Sequence, residues 1–84
     1  MMKYFVYIVE CADATLYIGY TTDLGKRIRA HNDSKTGAKY TKTRRPVTLK
    51  YSEECVSRGD ALRREYALKQ LTRPQKLALI GKLE

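Results

Sequence analysis

Five side chains in this sequence have the chemistry to work on a phosphate. Tyr7 and Tyr17 lie in two short β-like runs, Tyr4–Cys11 and Leu16–Thr21, joined by the polar link Ala12-Asp13-Ala14-Thr15. Arg27 and His31, the chain's only histidine, stand four apart on the segment that follows, so a helix brings them to one face. An arginine so placed can grip a phosphate with two parallel N–H groups, or offset the charge that grows on a phosphorane. A histidine ordinarily titrates near 6.5 and can accept or relay a proton at neutrality. Each also has a plainer reading. Arg27 is flanked by Lys26 and Arg29 and could be a solvated helix arginine. His31 lies on an apolar stripe and could be a satisfied core residue. Strand tyrosines commonly pack their rings in a core.

Glu65 is the fifth. Counted around a helix at about 100° per residue, it falls inside the arc marked by Ala61, Leu62, Tyr66 and Leu68. A carboxylate on a core-facing side needs a partner, because its desolvation is costly. Lys69, four residues on, supplies one through an ordinary helix pair worth a few tenths of a kcal/mol. A hard divalent cation would supply another, since Mg²⁺ takes carboxylate oxygens. From the residues alone the Lys69 pair is the simpler reading.

The charge favours a polyanion. Residues 26–50 hold nine Lys or Arg and one acid, a surplus equal to the whole net charge of +8. Such a block fits nucleic acid, although a basic soluble surface or an acidic protein partner would fit it as well. At 84 residues the chain is read as one domain, 1–84, with its core at about 4–80. Two cysteines, Cys11 and Cys55, have no zinc-like spacing. No apolar run approaches the ~20 residues of a membrane span, and the first strand is too short for a signal peptide. A cytoplasmic protein with reduced thiols is expected.

These groups must be positioned by a small set of elements. Lys3–Cys11 is rich in Tyr, Phe, Val and Ile without clean alternation, so it reads as a strand covered on both faces. Leu16–Thr21 alternates and completes a hairpin. Thr22 or Asp23 caps a helix over Leu24–Asn32, whose inward stripe is Leu24, Ile28 and His31. Gly25 weakens its first turn and suggests close packing. Asp33–Pro46 reads as a basic loop. Val47–Cys55 is a third strand, with Val47, Leu49 and Tyr51 alternating against Thr48 and Lys50. Ser57-x-x-Asp60 resembles a capping box that opens a helix running to about Leu71, and Pro74 begins another that ends near Gly81. The order β-β-α-β-α-α implies an α+β fold: a three-stranded, largely antiparallel sheet flanked by helices.

The hairpin loop decides whether the two tyrosines can cooperate. Side chains alternate faces with period two. A two-residue turn at Asp13-Ala14 would put Tyr7 and Tyr17 on opposite faces. A three-residue loop would pair Tyr7 with Thr21 and Tyr17 with Cys11, and put both tyrosines on one side. Asp13-Ala14 lacks the second-position Gly of a strong two-residue turn, and the residues leave both options open.

Phe5-Val6-Tyr7, Tyr17-Ile18-Gly19, Arg27, His31 and Glu65, at these intervals, resemble the core of the GIY-YIG nuclease superfamily. The second triplet matches YIG outright; in the first, Phe5 and Val6 replace Gly and Ile. The block Thr36-Gly37-Ala38-Lys39-Tyr40-Thr41-Lys42-Thr43-Arg44-Arg45-Pro46 is similar to that of small stand-alone bacterial members and of nuclease domains in structure-specific endonuclease subunits. The resemblance covers about residues 4–80. It implies Tyr7 and Tyr17 on a shared face, hence an odd loop or a bulge. It implies a metal-dependent DNA endonuclease in which Glu65 binds one Mg²⁺ or Mn²⁺, Arg27 stabilises the transition state and a tyrosine activates water. A free phenol titrates near 10 and needs a nearby cation to act as a base. Tyr17 is taken as that base, Tyr7 as its hydrogen-bonding neighbour and His31 as an auxiliary. Gly19 would leave room for close approach of substrate. Lys26, Lys39, Lys42, Arg44, Arg45, Lys69, Arg73 and Lys76 are the expected DNA contacts, on branched or single-stranded DNA, used alone or with a protein partner. Leu77 stands where many members carry a polar residue, often Asn, twelve after the glutamate. That departure supports the alternative, a nucleic-acid-binding module with a weak or inactive site.

Overall fold

The computed structural model describes residues 3–33 and 43–81. Its elements run β1 (Tyr4–Glu10), β2 (Leu16–Thr21), α1 (Leu24–Asp33), β3 (Thr48–Cys55), α2 (Arg58–Lys69) and α3 (Arg73–Gly81). The strands form one antiparallel sheet in the order β2-β1-β3, which confirms the expected α+β architecture. β1 is central, so both its faces are covered, as its unbroken apolar run requires.

The two faces carry different layers. Val6 and Ile8 of β1 join Ile18 of β2 beneath Ala61 and Leu68 of α2 and Ile80 of α3. Tyr7 and Val9 point the other way and meet Val47, Cys11, Tyr17, and Leu24 and Ile28 of α1. α1 therefore uses the stripe read from its sequence. Asp23, not Thr22, is its cap: Oδ1 accepts from the Lys26 N–H at 3.0 Å. A Cβ at Gly25 would meet neighbours only at ordinary distances, so close packing does not explain that residue.

The hairpin corrects the expected register while keeping its parity. Tyr7 lies opposite Gly19 and Tyr17 opposite Val9, not Thr21 and Cys11. The loop is still odd, but it is Ala12-Asp13-Ala14. Cys11 N–H bonds Thr15 C=O at 2.8 Å, and Ala14 N–H bonds Cys11 C=O at 2.9 Å. Ala14 takes the left-handed φ of 68° that such three-residue loops demand. Asp13 Oδ1 accepts from Thr15 N–H at 3.1 Å and from its hydroxyl at 2.6 Å, locking the exit from the turn.

β3 departs from the alternation read in its sequence. The pairing passes from Ile8–Tyr51 to Val9–Leu49, leaving Lys50 as the extra residue of a β-bulge. Tyr51 consequently packs with the α2 layer, whereas Val47 is buried beside Tyr7. The bulge reverses the facing of every residue after it.

α2 is capped as expected by Ser57, whose Oγ accepts from the Asp60 N–H at 3.1 Å, and it ends at Lys69 rather than Leu71. Its inward stripe differs from the expected arc. Leu62 and Tyr66 are 41% and 68% exposed, while Ala61 and Leu68 are buried. Positions 61, 64, 65 and 68 face the sheet, and two of the four are charged. Arg64 forks Glu53 of β3 with two 2.8 Å bonds, and Glu53 also accepts from the Tyr51 hydroxyl. α3 opens on Thr72 and Gln75, whose side chains each bond the other's backbone N–H, a capping box the sequence reading passed over. No helix among the described residues is long and apolar enough to cross a membrane.

Candidate active site

The odd loop places Tyr7 and Tyr17 on one face, and α1 lays Arg27 and His31 against that face. The Tyr7 hydroxyl is 2.8 Å from His31 Nε2, and Arg27 Nε donates to the same phenol oxygen at 3.3 Å. The His31 ring meets Tyr7 edge-on with centroids 5.8 Å apart and Tyr17 at 5.4 Å. Tyr7 is 1% exposed and His31 fully buried, whereas Tyr17 and Arg27 are half-buried at the rim. Gly19 lies under this group. A Cβ there would come within 2.6 Å of the Tyr7 hydroxyl, so the room it leaves is taken by the phenol.

Burial sets the proton inventory. Desolvation pushes the Tyr7 hydroxyl above its usual 10; Arg27 opposes this, while Tyr17 and Glu65 add to it. Desolvation, followed by the charges of Arg27 and Arg45, lowers His31 from 6.5 to about 4. At neutral pH the pair is therefore a protonated phenol against a neutral imidazole. Arg27 can only donate, so the buried phenol hydrogen is directed at Nε2, and the ring proton of His31 belongs on Nδ1.

Glu65 comes from the opposite layer. Its side chain is 18% exposed, and Oε1 lies 3.5 Å from Lys69 Nζ, so the plain helix pair is present. Its charge is nonetheless felt at the Tyr7 phenol. Thus four of the five residues read from the sequence meet through hydrogen bonds and ring contacts, and the fifth acts on the same hydroxyl through space. A cavity of about 270 Å³ opens beside them, lined by Thr21, Thr22, Asp23, Lys26, Arg27 and Ala30.

A divalent cation can be tested against this donor set. Among the described residues no three His, Cys, Asp or Glu side chains gather, so Glu65 stands as a single carboxylate. That does not suit a structural ion. It fits a hard cation such as Mg²⁺, which keeps several waters and shares the oxygens of a substrate phosphate.

The basic residues divide. Lys26 lines the cavity, and Lys69 and Arg73 are exposed while Lys76 is half-buried. Arg73 bonds Ala14 C=O at 2.8 Å, and Arg44 Nε is 3.1 Å from Asp13, so both brace the hairpin loop. Arg45 donates to the carbonyls of His31 and Ala30 at the end of α1. Lys39 and Lys42 lie outside the described residues. Sequence reasoning missed Asn32, whose side chain bonds both backbone groups of Val47. Its adjacency to His31 was the available signal.

A model of the GIY-YIG catalytic domain matches residues 3–78. The chain belongs to the GIY-YIG family. Among its relatives, a UPF0213 protein of Staphylococcus haemolyticus is 56% identical over 80 residues, spanning 95% of this chain and 96% of that protein. Another, from Desulfotalea psychrophila, is 54% identical over 77 residues, or 92% of this chain and 70% of the relative. The solution NMR structure of the UPF0213 protein BH0048 from Bacillus halodurans is similar with a TM-score of 0.60 at 44% identity, covering 95% of this chain and 84% of that one. That of EF2693 from E. faecalis is similar with a TM-score of 0.64 at 36% identity, covering 100% and 91%. None of these names states an activity. Membership in the GIY-YIG family supports a nuclease-like function, and the Tyr7–Arg27–His31 group lies where this GIY-YIG domain's motif residues meet.

Proposed function

We propose that this GIY-YIG domain is a divalent-metal-dependent endonuclease that hydrolyses DNA phosphodiester bonds. The observation that supports it is the convergence of Tyr7, Tyr17, Arg27 and His31 on one sheet face, with the Tyr7 hydroxyl 2.8 Å from His31. Tyr17, at the rim, gives its hydroxyl proton to solvent and then takes one from the attacking water as the new P–O bond forms; the ester P–O bond breaks and the leaving oxygen takes its proton from solvent. Tyr7 is held protonated by burial and serves as a fixed dipole. Arg27 ties that phenol and borders the cavity, where its charge offsets that of the five-coordinate phosphorus. His31, neutral at physiological pH, accepts the Tyr7 hydrogen bond and keeps its oxygen in place. Glu65 is the residue that would hold Mg²⁺ or Mn²⁺. Once bound, the ion would polarise the phosphoryl oxygen and make the reacting water more acidic. Lys26, Lys69 and Lys76 would bind flanking phosphates.

A second reading is a nucleic-acid-binding module on the same fold. It draws on Leu77, apolar and 42% exposed at a position where many family members are polar. Incubating the protein with branched, nicked and single-stranded DNAs in Mg²⁺, Mn²⁺ or EDTA separates the two. Metal-dependent cleavage supports the enzyme; binding without cleavage under every condition supports the module.

A further inference from the structure

We propose that Asn32 is a positioning residue: its carboxamide, fastened to Val47, sets the depth at which the adjacent His31 imidazole meets the Tyr7 phenol. Asn32 Nδ2 donates to Val47 C=O at 3.1 Å, and Val47 N–H donates to Asn32 Oδ1 at 2.7 Å. The side chain thus pairs with both groups of one peptide residue, as a neighbouring strand would. Asparagine is a poor helix former because it competes for backbone partners. In the last turn of α1 that tendency is satisfied by a partner outside the helix.

The other end of the clip is a fixed point. Val47 is buried in the same cluster as Tyr7 and Val9. Asn32 therefore ties the helix that carries His31 to the layer that carries Tyr7. Arg45 bears on the same turn by donating to the carbonyls of Ala30 and His31. The His31–Tyr7 contact needs such bracing, since a hydrogen bond weakens steeply with lost alignment. Among the described residues, Tyr7 from β1, Tyr17 from β2, Arg27 from its own helix and Arg45 from the segment before β3 face His31. Asn32 touches none of their side chains in its two bonds to Val47, so its effect on them passes through the placement of the helix turn.

His31 is the chain's only histidine, so its ring nitrogens can be followed by NMR in the intact protein without assignment. Wild type is expected to show an unprotonated Nε2 throughout neutral pH. In Asn32→Ala the two ring nitrogens should move toward a tautomer mixture, and the titration midpoint should rise by about one pH unit or more as water reaches the ring. If Asn32→Ala does not fold, Asn32→Asp takes its place: it keeps the acceptor for Val47 N–H, replaces the donor to Val47 C=O by an oxygen and adds one negative charge. It should shift the tautomer balance the same way, to a smaller extent. Ser57→Ala, which removes the cap of a different helix, is the stability control and should leave the His31 nitrogens unmoved. Wild-type nitrogen shifts in a folded Asn32 variant would overturn the proposal, as would an equal shift in Ser57→Ala.

The kinetic arm alone rests on the nuclease reading. There kcat should fall about ten- to hundredfold with KM little changed. If wild type cleaves nothing, that reading fails while the NMR result still decides the role of Asn32. A folded variant with shifted nitrogens but wild-type kcat would confine Asn32 to structure and overturn its role in the site.

Discussion

The hydroxyl of Tyr7 rests over the α-carbon of Gly19, its cross-strand partner, so closely that a methyl group at position 19 would lie 2.6 Å from the oxygen and 2.8 Å from Cζ. The glycine of the YIG triplet thus supports a residue of the first motif. Its absent side chain is filled by the phenol that His31 and Arg27 hold.

Gly19→Ala should accordingly displace a fully buried ring. The expected cost is about 1–3 kcal/mol, typical of overpacking, read as a lower urea midpoint at unchanged m. Cleavage should fall further than stability accounts for, because the Tyr7–His31 bond is lost. A variant as stable and as active as wild type would show that the ring can move aside at no cost.

Glu65→Gln separates chemistry from binding. The pair joins a largely covered Glu65 to an exposed Lys69 over 3.5 Å, so its loss should change stability by no more than about 1 kcal/mol. Cleavage should disappear, and DNA affinity should stay level or rise slightly as one repelling charge goes. Cleavage rate, affinity and melting temperature on one preparation give the answer. Undiminished cleavage by the folded variant would remove Glu65 from the site.

Much of this was legible because the stripe of α1 and the alternation of β2 express local periodicity, whereas the odd parity of the hairpin followed only from the family resemblance. The register of the tyrosines could be narrowed but not fixed, since Ala14 in a left-handed conformation is a choice the sequence does not advertise. The stripe of α2 was misread because it was drawn through apolar residues alone, which took in the exposed Leu62 and Tyr66 and left out Arg64. Its partner Glu53 lies on another element, and a polar residue turns inward only when such a partner waits there. The bracing role of Arg45 was hidden for the same reason: in sequence it is one of a run of cations.

That role divides two arginine and lysine variants. Arg45→Ala should lower stability by about 1–2 kcal/mol, because two helix-terminal carbonyls lose a charged donor. Lys26→Ala should leave the melting temperature alone and flatten the log–log salt dependence of duplex DNA binding by about 0.9. Lys26→Ala with the wild-type salt slope would take the cavity beside Arg27 out of the binding surface.

His31 gives stability a pH dependence. Its folded value, about 4, lies below the ordinary 6.5, so the unfolded chain binds the proton more readily. Its contribution is complete above pH 6.5 and drains away as pH falls toward 4, by an amount on the order of 3 kcal/mol. Urea titrations at steps across that window should show wild type weakening more steeply than His31→Gln, which has nothing to titrate. Parallel curves would mean that the imidazole takes up its proton as readily in the folded state as in the unfolded chain.

The bulge at Lys50 makes β3 two half-strands of opposite allegiance, one serving the layer of Tyr7 and the other the layer of α2. Chain length around it is therefore quantised. Drawing Lys50 into the ladder, at unchanged chain length, would slip one half-strand by a residue and rotate either Val47 with its clip to Asn32 or Tyr51 with the Glu53–Arg64 fork onto the wrong side of the sheet. One residue without a pairing partner keeps both sides in phase.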